Sequence, residues 1–165
     1  MAATFLSTFN PVLPVNLLLG LGIFSTAARI YLLPRLAAWT PAALLTPILL
    51  LHMGRELGLM FLFVGATGPG MPAAFAQPAA WGDFAAAVLA AIALWAVRHG
   101  AASAKAWVWV FNLFGTADLL NAIAMAVLHG AAPHLGAAYW IPAFWVPMLL
   151  ATHGAVFIFL ARHWR

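Results

Sequence analysis

Long apolar runs alternate along the chain with short clusters of proline, glycine and charge. Five of these runs reach the roughly 20 residues that a helix needs to cross the hydrocarbon core of a bilayer, at about 11–33, 41–64, 79–97, 105–128 and 138–161. The segments between them, LPRLAAWTP, GATGPGMPAAFAQP, RHGAASAK and HGAAPHLGAA, are short and carry turn chemistry, with no room for a soluble domain. The pattern predicts an all-α fold: one polytopic domain over residues 1–165, built as a bundle of five transmembrane helices. The leading MAATFLSTFNP has no Lys or Arg, and the apolar run after it exceeds the about 7–15 residues of a signal-peptide core. That first run is expected to be a retained span.

Composition strengthens this reading. The chain is 66% hydrophobic and 6% charged, with a mean hydropathy of +1.02, whereas charged residues make up about a quarter of a soluble domain. So few charges cannot cover a water-facing surface, and lipid is the expected solvent. No cysteine is present, which excludes disulfides, thiolate metal sites, iron–sulfur clusters and thiol nucleophiles. The formal charge of +4 is scattered between apolar spans, so the chain lacks the clustered basic face of a nucleic-acid binder.

Charge placement predicts a direction, because Lys and Arg accumulate in cytoplasmic loops. Arg29 and Arg35 flank the first connection, Arg98 and Lys105 the third, and Arg162 and Arg165 the tail, while the second and fourth connections have neither residue type. An N-out, C-in protein of the bacterial inner membrane is expected. Trp39, Trp81, Trp95, Trp107, Trp109, Trp140 and Trp164 fall near predicted span ends, where indole rings favour the headgroup zone, and Trp145 lies about two turns inside.

The acidic residues reverse the habit of surface charge: Glu56, Asp83 and Asp118 all lie within predicted spans, as does Arg55. An ionised group at mid-bilayer costs about 2.5–3.5 kcal/mol on insertion scales, so such groups face the bundle interior and pair. In LLHMGRELGLM, His52, Arg55 and Glu56 stand at i, i+3 and i+4, one face of an α-helix. In FNLFGTADLLNAIAM, Gly115 and Asn121 flank Asp118 at three residues on either side, whereas Asn112 lies roughly 120° around the helix from it. Counting rise from the cytoplasmic ends puts Arg55 and Asp118 at a common depth of about 20 Å, and His153 at about 12 Å, nearer His52 than the acids. Asp83 is expected about one turn below the outer surface. A buried pair of Arg55 with Asp118, extended by Glu56, Asp83 and Asn121 and opening outward, is the expected site.

Simpler roles stand beside it. Buried polar groups can serve only to fix which helices pack together, above all Asn112, Asn121 and Gly115. Asp83 can cap the start of its helix. His52 and His153 can make packing hydrogen bonds, or ligate one metal centre such as a haem iron held between two spans. His99, His129, His134 and His163 are expected in solvent.

Trp81-Gly82-Asp83, the run Asn112 to Leu119, and the stretch from Ile141-Pro142 through Val146-Pro147 to His153 resemble a family of small polytopic bacterial membrane proteins. The resemblance covers the last four spans. It implies that Asp83, Asn112, Asp118 and His153 belong together, and it carries no activity, substrate or cofactor. Three functional readings follow. In the first, the polar site binds or transports a small ligand or a proton from the outer side, with Arg55 as anion anchor and Asp83 or Asp118 as the titrating group. In the second, His52 and His153 hold a haem or related pigment, or the helices cradle a quinone. In the third, the chain is an accessory subunit of a larger membrane complex or a homo-oligomer. No nucleophile paired with a base is evident, and no phosphate loop, so nothing points to a hydrolase.

Overall fold

A computed structural model describes residues 11–164. The leading segment without Lys or Arg, apart from Pro11, and the place of Arg165 in the tail lie outside the described residues. Five helices are long and apolar enough to cross a membrane: Val12–Arg35, Pro41–Leu62, Ala73–Arg98, Ala104–Leu128 and Gly136–Arg162. There is no strand among the described residues. The α-helical parts are α1 (Val12–Ala27), α2 (Pro41–Met53), α3 (Ala73–Arg98), α4 (Ala104–Leu128) and α5 (Val146–Arg162).

The ends of these helices follow from local chemistry. Thr40 caps α2 by accepting from the Ala43 N–H at 3.2 Å, with Pro41 in the first helical position. α3 and α4 stop alike, at Gly100 (φ +61°) and Gly130 (φ +63°). In each the next residue donates back across the last turn, Ala101 to the Ala96 carbonyl and Ala131 to that of Ala126, both at 2.9 Å. A side chain at either glycine would strain that turn.

Three spans depart from regular α-helix. The first ends in a π-helical turn (Ala28–Leu32) and a short 3₁₀ turn (Leu33–Arg35). The fifth opens with a 3₁₀ turn (Gly136–Tyr139) and a π-helical turn (Ile141–Trp145). The second changes at Gly54 from α-helix to nine residues of 3₁₀-helix, Gly54–Leu62, although such runs rarely exceed about four residues.

α3 starts at Ala73, earlier than the residue after Pro78 where the sequence suggests a start. Pro78 sits in the second turn and forfeits one backbone bond there without ending the helix. Its buried face is a stripe of alanines, Ala76, Ala79, Ala80, Ala86, Ala87, Ala90, Ala93 and Ala96, interrupted by Asp83. Small side chains let α2, the 3₁₀ segment and α4 all pack closely on α3. α1 buries no residue and packs mainly on α5 and the π-helical turn before it.

Two apolar clusters fill the bundle. One gathers Leu44, Leu45, Val108, Phe111, Val156 and Phe159 toward the first and third connections. The other gathers Phe61, Phe75, Leu119, Leu135, Ile141 and Leu149 toward the second and fourth. Those two connections are tied together by Gly68 N–H donating to the His134 carbonyl (2.8 Å) and Ala138 N–H to the Ala66 carbonyl (3.1 Å). The polar site lies between the clusters.

Candidate functional site

The 3₁₀ segment explains how the second span presents its polar residues. With three residues per turn, positions three apart stay in register along one face. His52, Arg55, Gly58 and Phe61 are all buried, and they form that face. The same residues on a continuous α-helix would drift about 60° at each step, and Phe61 would end up opposite His52. Glu56 stands one 3₁₀ step, about 120°, beyond Arg55. It is exposed and outside the site, so the face it was expected to share with His52 and Arg55 is lost where the α-helix ends at Met53.

Arg55 is 1% exposed. Its Nε donates to Asp83 Oδ1 at 2.8 Å, its Nη2 to Asp118 Oδ2 at 2.6 Å, and its Nη1 to the Gly115 carbonyl at 3.1 Å. One guanidinium is thus shared by carboxylates from α3 and α4. Asp83 lies ten residues into α3, about 15 Å along its axis. Ten residues into a helix that begins before Pro78, Asp83 does not cap its start. Glycines make the approach feasible. A Cβ on Gly58 would overlap the Asp83 carboxylate, and one on Gly82 would overlap that of Asp118.

On α4 an inward arc runs from the buried Asn112 and Gly115 to the half-buried Asp118, with Gly115 at its centre. Asn121 lies about 60° beyond Asp118, away from that centre, and is exposed. Asn121 therefore falls outside the cluster it was expected to extend, while Asn112 faces the fifth span, since packing selects the Gly115 side of Asp118. Asn112 Nδ2 donates to the His153 carbonyl at 3.3 Å, which leaves its Oδ1 to accept from His153 Nδ1 at 2.7 Å. Thr152 donates its hydroxyl proton to the backbone of Met148 or Leu149 and so accepts from His52 Nε2 at 2.9 Å. The remaining ring nitrogens, His52 Nδ1 and His153 Nε2, are buried lone pairs without hydrogen-bond partners among the described residues. A Cβ on Gly115 would come within 2.7 Å of His153 Nε2 and 2.9 Å of Arg55 Nη1, so the histidine pair and the ion cluster meet at this glycine.

The two imidazoles touch, with ring centroids 4.2 Å apart, and Phe111 packs against both at 5.0 and 5.1 Å. A macrocycle ligated from both sides needs its plane between the rings, and the rings themselves occupy that space. The pair does not fit a haem in this arrangement.

A cavity of about 260 Å³ opens beside the cluster on the side of the second and fourth connections. Its walls include Leu17, Phe75, Leu119, Ile123 and Ile141, and its single charged lining residue is Asp83. Arg55 is not in the wall. With both acids ionised, the cluster sums to one positive and two negative charges, a formal −1 beside hydrocarbon.

The family model described as Domain of unknown function (DUF8737) matches residues 12–161. The chain belongs to this family. No curated protein and no solved structure matches it. The DUF8737 match spans all five helices, and every residue of the ion cluster and of the histidine pair lies within it. In this DUF8737 chain, sequence reasoning missed Thr152 and the glycines that face the acids, Gly58 and Gly82. The series His52, Arg55, Gly58 and Phe61 shows its three-residue period only through burial.

Proposed function

We propose that the protein is a multi-pass protein of the bacterial inner membrane, N-out and C-in, that takes up a small ligand or a proton from the outer side at the cluster of Arg55, Asp83 and Asp118. The observation that carries this reading is the placement of Asp83. One of its oxygens is held by Arg55 at 2.8 Å, while the same side chain is the single charged group in the wall of an apolar cavity. A structural ion pair needs one carboxylate per guanidinium. Here there are two, and the surplus negative charge calls for a cationic partner, a proton being the smallest. Arg55 stabilises the charged cluster and orients Asp83, with its donors turned to the two acids and a backbone carbonyl rather than to an incoming anion.

Infrared difference spectroscopy on the full chain in oriented proteoliposomes tests this. Acidifying the outer compartment is expected to raise a protonated-carboxyl band that Asp83→Asn removes and Glu56→Gln retains. A spectrum with no carboxyl response, or one lost with Glu56→Gln instead, overturns the reading.

A further inference from the structure

The cavity is specific enough in size and chemistry to name a class of ligand. We propose that it takes a compact apolar molecule bearing a cationic amine, whose ammonium group donates to the free oxygen of Asp83. This rests on the cluster being a binding site, as argued above, and goes further by fixing what binds.

Size comes first. An apolar cavity of about 150 Å³ holds a benzene molecule. In proportion, the 260 Å³ here accommodates about ten non-hydrogen atoms. A caged or bicyclic body fits that space, and a whole acyl chain does not.

Charge comes second. Asp83 is 6% exposed, and its Oδ1 accepts from Arg55 Nε. Its Oδ2 has no hydrogen bond among the described residues, yet the side chain lines the cavity. A carboxylate with one oxygen free at a dry wall is best met by a donor, and a cation meets it best because the cluster is formally one positive charge short. An anion would face the carboxylate directly. A molecule offering only acceptors, such as a quinone, would find no donor, since the buried guanidinium is turned to Asp83, Asp118 and the Gly115 carbonyl.

Access comes third. α1 supplies the cavity wall through Leu13 and Leu17 while burying none of its own residues. It is fastened near this end by Asn16 Nδ2 donating to the Tyr139 hydroxyl at 2.6 Å. Of the cavity walls, the one from α1 is the least buried, and it is the side from which a ligand would enter.

Three probes with one body and different heads decide the matter: 1-aminoadamantane, 1-adamantanol and 1-adamantanecarboxylate, each measured by equilibrium dialysis against the full chain in nanodiscs of zwitterionic lipid. The amine is expected to bind about tenfold or more tightly than the carboxylate, a difference of one charge-assisted contact. Asp83→Asn is expected to bring amine and alcohol to equal affinity. Ala122→Phe, which fills the cavity, is expected to abolish specific binding of all three. If the three bind equally and Ala122→Phe blocks them, the site stands and the cationic class falls. If none binds, or if Ala122→Phe changes nothing, the cavity is not the site of such a ligand and this proposal falls, while the carboxyl band of Asp83 decides the proton reading separately. Should Asp83→Asn fail to fold, the order of the three heads together with Ala122→Phe still decides the outcome.

Discussion

Arg55 holds two helices to a third through three hydrogen bonds made by one side chain, and its removal would leave two carboxylates in a dry interior without a cation. Breaking a buried pair from one side costs about 3–5 kcal/mol, because the stranded charge is the larger part of the penalty. Arg55→Gln is therefore expected to lower unfolding stability by about that amount, read from the midpoint of denaturant titration in mixed micelles. Combining it with Asp83→Asn and Asp118→Asn should recover part of the loss, since amides need no counter-charge. A triple variant no better than Arg55→Gln alone would show that geometry, not charge, is what Arg55 supplies. Much at this scale was legible: common depth along two helices put Arg55 beside Asp118, and bilayer physics required both to face inward. The asparagines were not. Gly115 and Asn121 are equivalent by their spacing from Asp118, and only the packing of α3 and α5 on α4 decides that the Gly115 side, with Asn112, is buried.

At the scale of elements, the 3₁₀ segment sets which residues reach the site. The apolar pattern of the second span marks a helix but does not distinguish 3.6 residues per turn from 3.0 over so short a stretch, so Glu56 looked as inward-facing as Arg55. The buried series His52, Arg55, Gly58, Phe61 is the three-residue period, and it separates two neighbouring substitutions. Glu56→Gln is expected to stay within about 0.5 kcal/mol of the parent, as for a surface change away from any contact. Gly58→Ala, whose methyl would overlap the Asp83 carboxylate, is expected to cost about 1–3 kcal/mol by forcing Asp83 off Arg55. Equal effects of the two, measured as unfolding midpoints under one condition, would mean that the segment relaxes to α-helix in lipid. The start of α3 was obscured in another way. Pro78 reads as a boundary, but a proline within the first turns costs a single hydrogen bond, and the alanine stripe that follows outweighs it.

The bundle as a whole has two chemically different ends. Lys105 Nζ donates to the Trp164 carbonyl at 2.5 Å, which joins the start of α4 to the end of α5. Arg98 and Arg162 are exposed at the ends of α3 and α5, so the first connection, the third connection and the tail gather nearly all the basic side chains. The opposite end, where the second and fourth connections are hydrogen-bonded together, has neither Lys nor Arg. Five spans were legible because the bilayer demands a fixed apolar length, whereas the cavity was not, being made by the way α1 leans on α5. If basic residues mark the cytoplasmic face, the cavity and Asp83 are reached from outside. The chain contains no cysteine, so single replacements report cleanly. A membrane-impermeant maleimide is expected to label Pro69→Cys, in the second connection, on intact spheroplasts, and Ser103→Cys, in the third, only after lysis. The reverse pattern would invert the orientation and turn the cavity toward the cytoplasm. The supply of its ligand would then have to come from within the cell, and the outer-compartment acidification that tests Asp83 would act on the wrong side.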